Sequence, residues 1–563
     1  MSPPALSPAL STEAGSPENA RAEGSLRAWV MGGALGVLFA VSNVYVGLKT
    51  GIWESGCVTS ALLAFGGLST LGRFSRPPSP LETNLSQTTA VALGAMPASA
   101  GLMGTVPALA LMGLAPSAWA VAAWGLSLGV LGVLFASVLR RRLLEEERLP
   151  FPTGAAAAEL ISTLHATGMD TSARARGLGV SGLVTALVVW LRDARGLLPG
   201  ASLLPGPMLW GVGWNPMLLG MGALLGVQAG VSLLLGALVA WGALAPGLVD
   251  AGVKAEDLSA WLVWPGLGLL LGGSVPSLLS LVRALPSLAR DLRGVRGHGD
   301  AGRMRWVAWG LVPLVLGVLA WNASAFELGP VSLTLALVLA FPLCAVCARA
   351  TGQSDIAPMS PLGQLTQVGF GMVAPGQPGL NVGASGVVAG AASQTSASLW
   401  SLQAGRLLGA NPTHQLFAQL SGLVLGAAVA VPTYFLLVSA RGLGSTALPA
   451  PTAHQFKAIA ELTSQGLSSM PPGSVVALGV AFVVGVGLSV AARGRWARLL
   501  PSAAAVGMGF LLPAFYSVTL CLGALLAYAV VRFRPASAPT VQAVGSGAIL
   551  GESLLGVVLA ALG

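Results

Sequence analysis

Long apolar segments are the feature that most restricts what this chain can fold into. A membrane-spanning helix needs about 20 mostly apolar residues. Eleven segments approach or exceed that length, at 28–48, 56–72, 117–139, 177–191, 258–282, 306–321, 331–348, 416–439, 474–492, 515–531 and 541–562. Five further apolar stretches are interrupted by Pro, Gly and polar residues, at 83–114, 151–168, 203–246, 363–397 and 499–513. The pattern predicts an all-α polytopic membrane protein with about 14–16 transmembrane helices, some of them broken or re-entrant.

The composition argues against several classes of soluble protein. Of the 563 residues, 54% are hydrophobic and 9% are charged, whereas charged residues make up about 25% of an ordinary soluble domain. The mean hydropathy is +0.78. So few charges cannot cover the surface of a soluble chain of this length. A soluble enzyme, a nucleic-acid-binding protein and a disordered scaffold are therefore excluded as first interpretations.

The net charge of +9 arises between the apolar segments and not on one soluble face. Basic residues cluster at Arg140–Arg142 and from Arg283 to Arg305, among other places. Such clusters mark the cytoplasmic loops of membrane proteins, so no nucleic-acid partner is expected. Arg192 and Arg195 fit the resulting alternation of inside and outside loops poorly.

The same observations divide the chain into four parts. Residues 1–26 are rich in Ser, Pro, Ala and Glu and lack the apolar core of a signal peptide, which predicts a disordered cytoplasmic tail. A predicted Arg-rich cytoplasmic loop at 283–305 separates a first transmembrane half, 27–282, from a second half, 306–563. We expect an integral protein of the bacterial inner membrane with its N-terminus in the cytoplasm.

A short internal similarity connects the two halves. Ser86-Gln87-Thr88 lies in the first half and Ser393-Gln394-Thr395 in the second, and each follows an asparagine, Asn84 or Asn381. Interrupted helices at corresponding places in two halves indicate the central site of a transporter. The similarity predicts two related halves with a site between them.

Polar residues within apolar segments are candidate site residues, because an ionisable group inside a span is costly and usually faces a cavity or a partner. Asn43, Tyr45 and Lys49 form the first group. Lys49 lies near a predicted helix end, where it either extends to the interface or pairs with a buried carboxylate. Glu82, Asn84 and Gln87 open an interrupted helix; such a polar segment either lines a cavity or joins helices through hydrogen bonds.

Two acidic residues are candidates for proton coupling. Glu159 follows Pro152 and Gly154 on a short apolar helix. A buried carboxyl has a raised pKa and can exchange a proton near neutral pH, although a structural hydrogen bond to backbone is the alternative. Asp355 precedes a segment rich in amides and turn residues; it either binds a cation or a substrate amine, or caps a helix.

Several chemical sites are missing from the sequence. It has no Walker A motif, no HExxH motif and no Gly-x-Ser-x-Gly motif. Cys344-x-x-Cys347 lies in an apolar segment without a second pair, which favours a packing role over a redox or metal site. We therefore expect no catalytic residues, no metal site and no cofactor.

Ordered motifs along the chain carry a family resemblance. They include Asn43-x-Tyr45-x-Gly47-Leu48-Lys49-x-Gly51, Asn84-x-x-Gln87-Thr88, Pro150-x-Pro152-x-Gly154 followed by Glu159, Gly352-x-x-Asp355-x-x-Pro358-x-Ser360-Pro361-x-Gly363, and Gly547-x-x-x-Gly551-Glu552. In this order they resemble the oligopeptide transporter (OPT) family, in particular its prokaryotic branch. Thr153 departs from the pattern, because relatives often carry an acidic residue there, and the longer signatures of the fungal and plant peptide transporters are absent.

The resemblance implies about 16 helices in two related halves and movement of peptides or metal chelates, usually driven by protons. It therefore predicts a secondary active transporter that imports small oligopeptides or peptide-like compounds by alternating access. Uptake of siderophore-like metal chelates is the alternative, and an intramembrane enzyme or a passive channel fits less well. Besides the substrate and protons, the expected partner is membrane lipid, and a homodimer stays open.

The predicted site residues have distinct roles. Glu159 and Asp355 are predicted to couple transport to protons and to bind the substrate amine, and Lys49 is predicted to bind the substrate carboxylate. Side-chain amides are expected to hydrogen-bond the peptide backbone; they are Asn84, Gln87, Gln367, Asn381 and Gln394. Asn43, Tyr45 and Glu82 complete the predicted substrate-binding set.

Overall fold

The computed structural model describes residues 24–53, 56–72, 76–167, 172–204, 208–294, 301–354, 357–466, 470–492 and 499–562. The described chain is almost entirely helical, which confirms the predicted all-α polytopic class. The predicted N-terminal tail up to residue 23 and the candidate Asp355 lie outside the described residues.

The first helices show how Pro and Gly interrupt an apolar segment. The elements are α1 Leu26–Thr50, α2 Cys57–Gly72, α3 Pro80–Gly94, α4 Met96–Ser99, α5 Thr105–Leu111 and α6 Ala118–Arg140, which continues as a π-helical turn over Arg141–Glu146. The predicted irregular segment 83–114 is thus three helices. Pro97 lies at the start of α4, and Gly101 adopts a positive φ of 73° between α4 and α5, a conformation that favours glycine.

The next part contains a small β-hairpin that the apolar pattern did not predict. The elements are α7 Pro152–Thr167, α8 Ser172–Val189 with a π-helical turn Trp190–Ala194, β1 Ala201–Leu203, β2 Gly211–Gly213, α9 Pro216–Leu225, α10 Val227–Ala237 with a π-helical turn Leu238–Leu244, α11 Ala245–Asp250 and α12 Leu258–Gly294. The two strands are antiparallel, with Ser202 opposite Val212. Three-residue strands are too short to show the alternation that identifies a strand in sequence.

The second part of the chain is helical throughout its described residues. Its elements are α13 Ala301–Asn322, α14 Pro330–Ser354, α15 Met359–Val373, α16 Pro378–Leu408, α17 Pro412–Arg441, α18 Pro451–Gln465, α19 Ser474–Ala491, α20 Ala503–Leu511, α21 Ala514–Phe533 and α22 Ala538–Leu562. Single 3₁₀ turns lie at Ala255–Asp257, Ala323–Phe326 and Pro535–Ser537.

All eleven predicted spans coincide with helices. Nine helices of the described chain are long and apolar enough to cross a membrane, and four shorter apolar helices accompany them. The predicted total of about 14–16 crossings counts interrupted segments as well and stays a prediction.

Most of the predicted Arg-rich loop at 283–305 is helical, which corrects the expected loop conformation. Residues 283–294 extend α12 and residues 301–305 begin α13. The loop assignment followed from charge, but charged residues favour water and do not by themselves end a helix. The division into two related halves stays a prediction.

Helix α16 forms the centre of the fold and packs against α3, α6, α7, α14, α15 and α18. It runs without interruption through Ser393–Thr395, so the break in this half lies earlier, between α15 and α16. Gly383 lies against the backbone of Phe326, and Phe326 stacks on Trp124 with ring centroids 4.1 Å apart. Small residues allow such close approach of helices, which buries the polar side chains of α16.

The charged residues that follow α6 form ion pairs that join the end of α6 to the C-terminal part of α14. The carboxylate of Glu147 accepts hydrogen bonds from Arg142 at 2.8 Å and from Arg349 at 2.8 and 3.1 Å. Burial raises the pKa of the Glu147 carboxyl, but the hydrogen bond from Arg142 and the charge of Arg349 outweigh burial and hold that pKa below its usual value.

Candidate substrate and ion site

A group of charged side chains with a buried centre connects four helices or helix ends. We call it the ion cluster; its members are Lys49, Arg192, Asp193, Arg441 and Glu552. Three of its members, Lys49, Arg192 and Glu552, are buried. Of the five, only Lys49 belonged to the predicted site residues.

Lys49 pairs with a carboxylate, which decides between the two alternatives that the sequence left open. Only 3% of Lys49 is exposed, and its Nζ lies 3.3 Å from Oε1 of Glu552. The same Nζ lies 4.5 Å from the ring centroid of Tyr45, within the range of a cation–π interaction. Lys49 therefore faces the protein interior.

Glu552 lies on α22, is fully buried, and uses both carboxylate oxygens. Oε1 also lies 3.3 Å from Nη2 of Arg192. Oε2 accepts a 3.0 Å hydrogen bond from the backbone N–H of Met217 in the first turn of α9. A helix N-terminus carries partial positive charge, so this carboxylate is stabilised by two cations and a helix end.

Arg192 joins Glu552 to the second acid of the cluster. Its Nε and Nη2 donate to the two oxygens of Asp193 at 2.6 and 3.1 Å. Its Nη1 donates to the backbone oxygen of Trp214 at 2.9 Å and to Oδ1 of Asn215. This internal role explains why Arg192 fits the alternation of charged loops poorly.

Arg441 is the least engaged cation of the cluster. Its Nη2 lies 3.4 Å from Oδ2 of Asp193 and 3.5 Å from the backbone oxygen of Gly556, and both distances are long for hydrogen bonds. Its Nε is buried and has no hydrogen-bond partner among the described residues.

The local folding of the chain explains why cations gather here. Lys49 lies in the last turn of α1, Arg441 is the last residue of α17, and Arg192 lies in the π-helical turn that ends α8. Helix C-termini carry partial negative charge and stabilise cations. The ends of three helices thus meet at the start of α9.

Tyr45 lies beside the cluster with an unpaired hydroxyl group. The side chain is fully buried. Its hydroxyl has no hydrogen bond of normal geometry within the described chain; Nζ of Lys49 is near its oxygen, but an ammonium group only donates, so the Tyr45 O–H stays unused. The Cζ of Arg441 lies 5.9 Å from the ring centroid. A Cβ added to Gly556 would lie 2.9 Å from the hydroxyl oxygen, so this glycine leaves room for the ring.

A second polar region lies where α15 and α16 face α18. Gln364 donates to Gln455 at 3.0 Å, Gln367 to the backbone oxygen of Phe456 at 2.6 Å, and Asn381 to Thr463 at 3.1 Å. These contacts use the amide nitrogens of Gln367 and Asn381. The amide oxygens of both residues are buried without a partner among the described residues.

In Gln394, further along α16, the amide oxygen is paired and the amide nitrogen is not. Its Oε1 accepts a 2.8 Å hydrogen bond from Ser99 of α4, whereas its Nε2 is buried without a partner in the described chain. The predicted amides Gln367, Asn381 and Gln394 therefore present two acceptors and one donor inside the protein. Unpaired buried amide groups are costly, so a ligand is a physical reason for them.

Asn84 and Gln87 are engaged in a network between helices. Asn84 donates to Gln87 at 3.3 Å, and its own oxygen accepts from Gln415 at 3.2 Å. Gln87 donates to Cys57 at 3.0 Å and to Ser401 at 3.3 Å. This arrangement matches the hydrogen-bonded joining of helices, which the sequence left open beside cavity lining.

Glu82 belongs to the capping box at the N-terminus of α3, whose N-cap residue is Ser79. Its carboxylate accepts from Ser25 at 2.5 Å, from Arg27 at 2.8 and 2.5 Å, and from Arg76 at 2.8 Å. With Ser79 it completes a capping box. These contacts occupy both oxygens and give Glu82 a structural role; its contact with a substrate stays a prediction.

Asn43 also makes a structural contact. Its amide donates a 2.8 Å hydrogen bond to the backbone oxygen of Gly94, the last residue of α3. The neighbouring Ser42 donates to Ser553 of α22 at 3.2 Å.

Glu159 is exposed, which corrects the expectation of a buried carboxyl. It lines an open cavity of about 280 Å³ between α2, α7, α8 and α22. Ala157, Ala158 and Ile161 face the protein core, and successive residues of a helix are turned by about 100°, so Glu159 faces away from it. Ser546 borders this cavity and also a small one beside Asn43.

Sequence reasoning missed Arg192, Asp193, Arg441 and Glu552 as site residues. A usable signal was present for Glu552, a carboxylate within the apolar segment 541–562. The described residues contain no group of three or more His, Cys, Asp or Glu side chains that could hold a metal ion. Cys344 and Cys347 are free thiols buried between helices.

Comparisons with known proteins agree with this architecture. A family model described as OPT oligopeptide transporter protein matches residues 23–562. A "Putative oligopeptide transporter" of Haemophilus influenzae is 26% identical over 92% of each chain, and the yeast "Putative oligopeptide transporter YGL114W" is 24% identical over 95% of each. The Arabidopsis thaliana "Probable metal-nicotianamine transporter YSL8" is 23% identical over 94% of this chain and 85% of its own. The chain therefore belongs to the OPT oligopeptide transporter family and is an integral membrane transporter, not an enzyme.

Proposed function

We propose that this chain is a secondary active transporter that imports small oligopeptides or peptide-like compounds across the bacterial inner membrane. Protons drive the uptake, and the substrate site opens to one side of the membrane at a time. The N-terminus lies in the cytoplasm.

The observation that carries this proposal is the set of unpaired amide groups inside the bundle. The oxygens of Gln367 and Asn381 and the Nε2 of Gln394 are buried without partners in the described chain. A peptide backbone offers the complementary N–H and C=O groups. Hydrogen bonds to backbone do not depend on the peptide's side chains, which suits a transporter of mixed peptides.

Proton coupling in the proposal rests on Glu159 and Asp355. Glu159 lies in an open cavity, where water can deliver a proton. The cavity reaches Ser546 of α22, the helix that also carries Glu552. Glu159 thus shares a cavity with the helix that carries Glu552 of the ion cluster.

Uptake by reconstituted protein tests the proposal. The purified chain is placed in liposomes, and accumulation of labelled di- to tetrapeptides is measured with and without an inward proton gradient. We expect accumulation against the peptide gradient, lost in Glu159→Gln. Glu145→Gln is the matched control, because Glu145 is exposed and pairs with Arg140 at the end of α6.

Each outcome has a distinct meaning. Gradient-driven uptake that survives Glu159→Gln keeps the transport proposal and moves the proton site, with Asp355→Asn tested next. Uptake that only equilibrates the peptide would indicate a channel and overturn active transport. Gln367→Leu and Asn381→Leu should raise KM for peptides more than Gln87→Leu does, because the amide of Gln87 is already paired.

Uptake of metal chelates is the second candidate function. It is supported by the likeness to proteins named as metal-nicotianamine transporters over 94% of this chain. Because a chelator supplies the metal ligands, the protein needs none of its own. Uptake of a labelled iron chelate without uptake of peptides would favour this function.

A further inference from the structure

The ion cluster has one positive charge more than it has negative charge. Lys49, Arg192 and Arg441 face Glu552 and Asp193. Buried charge without a partner is unfavourable. Three helix C-termini compensate part of the excess, but they leave hydrogen-bond donors of the cluster unused.

Arg441 is the most weakly paired of the three cations. Asp193 is held by two short hydrogen bonds from Arg192, and Arg441 reaches it only at 3.4 Å. The Nε of Arg441 is buried and unpaired in the described chain. The Nε–H of Arg441 is therefore an unused donor, and the Nη2 beside it makes only long contacts.

The unpaired hydroxyl of Tyr45 borders the same place. Gly556 lies next to both groups, because its backbone oxygen is 3.5 Å from Nη2 of Arg441 and a Cβ added to it would lie 2.9 Å from the Tyr45 hydroxyl oxygen. A buried hydroxyl without a hydrogen bond costs about 1–3 kcal/mol. The Tyr45 hydroxyl and the Nε–H of Arg441 are thus two unused donors near each other, and the single ion pair that Arg441 makes among the described residues, with Asp193, is long at 3.4 Å.

We propose that Arg441 and Tyr45 bind a carboxylate group of the transported solute. Nε and Nη2 of Arg441 take the two carboxylate oxygens, the arrangement that arginine favours, and Nη2 gives up its long contacts to Asp193 and Gly556. The Tyr45 hydroxyl donates a third hydrogen bond. One carboxylate, with a single negative charge, neutralises the one excess positive charge of the cluster, whereas a dianion would leave an excess of negative charge. This inference rests on the proposed function, and it assigns to Arg441 the role that the sequence suggested for Lys49.

Lys49, Arg192 and Glu552 are positioning residues in this proposal. Glu552 holds both cations, and Lys49 lies against the ring of Tyr45. A peptide C-terminus and an aminocarboxylate chelate both supply the required group, so the experiment includes one of each.

Uptake of trialanine and of trialanine amide by reconstituted protein tests the proposal, with iron(III) nitrilotriacetate as the chelate. Tyr45→Phe should raise KM for trialanine about tenfold, in line with loss of one hydrogen bond to a charged group, and leave KM for the amide unchanged. Arg441→Lys should do the same, because lysine keeps the charge but loses the planar fork.

Tyr516→Phe is the matched control. Tyr516 is equally buried, but its hydroxyl already donates to the backbone oxygen of Thr446 at 3.4 Å. We expect no change in the ratio of the two KM values. Tyr45→Phe should raise the Tm of the solute-free protein or leave it unchanged, and should not lower it, because it removes a buried hydroxyl that donates to no partner there.

Equal effects of Tyr45→Phe on trialanine and its amide would overturn the carboxylate site. Chelate uptake that is sensitive to Tyr45→Phe, without peptide uptake, supports the site and replaces the peptide as substrate. If no solute is transported, the proposed function fails. In that case, thermal stabilisation of the purified protein by trialanine but not by its amide, absent in Tyr45→Phe, supports the site, and equal stabilisation by both overturns it.

Discussion

Neutralising Glu552 should destabilise the protein far more than neutralising an exposed acid with the same ion-pair distance. Glu552→Gln removes the carboxylate charge that faces Lys49 and Arg192, each at 3.3 Å. All three side chains are at most 5% exposed, so water cannot replace the lost partner. Breaking a buried pair by removing one charge costs about 3–5 kcal/mol.

Glu146 provides the matched comparison. Its carboxylate lies 3.3 Å from Nε of Arg141, but both side chains are more than half exposed, at 56% and 55%. Exposed pairs contribute about 0–1 kcal/mol. Glu146→Gln should therefore have almost no effect on Tm, whereas Glu552→Gln should lower it clearly.

The assay is thermal unfolding of the purified variants in the same detergent, together with the double variant Lys49→Met/Glu552→Gln. Removing both charges returns the cluster to its wild-type excess of one positive charge, so we expect the double variant to lose less stability than the two single variants combined. A Glu552→Gln protein as stable as Glu146→Gln would refute the reasoning that burial gives this pair its importance.

Three further predictions address other regions. The pKa of Glu147 is lowered in the folded protein, so its ionised carboxylate contributes fully to stability above the ordinary carboxyl pKa of 4.5. This contribution is lost as pH falls through the lowered value. The Tm difference between wild type and Glu147→Gln should therefore shrink over that acidic range and stay constant above it. Trp124→Ala removes a fully buried, stacked ring and should cost about 3–5 kcal/mol in thermal unfolding; a loss below about 1 kcal/mol would contradict the packing. Gly556→Ala places a Cβ against the ring of Tyr45 and should raise KM for trialanine, whereas Gly479→Ala, with open space at its Cβ, should leave it unchanged.

Sequence reasoning succeeded where a signal is local and long. Each of the eleven apolar segments coincides with a helix, because helical hydrogen bonds close within the segment and apolar length alone selects a span. Pro97 and Gly101 marked the interruption between α3 and α5 for the same local reason. Helices α12 and α13, which extend into the expected loop, show that charge alone does not reveal where a helix ends.

The sequence did not reveal which hydrogen-bond partners the polar side chains would meet. Asn84 and Asn381 look alike in sequence, yet the side chain of one is fully paired, whereas the other has a buried free oxygen. The difference depends on whether Gln415 or Thr463 lies opposite, at a separation of 82 residues or more. Glu159 was the favoured carboxylate because of its apolar neighbours, but the rotation of α7 leaves it in an open cavity.

The sequence by itself determined the membrane environment, the helical class and most helix positions, because these follow from hydropathy and from hydrogen bonds within each segment. The tertiary structure alone decided which charges meet. Lys49 and Glu552 are 503 residues apart, and Arg192 and Arg441 end two further helices. Burial and electrostatic pairing depend on packing between distant helices, and no spacing along the chain encodes that distance.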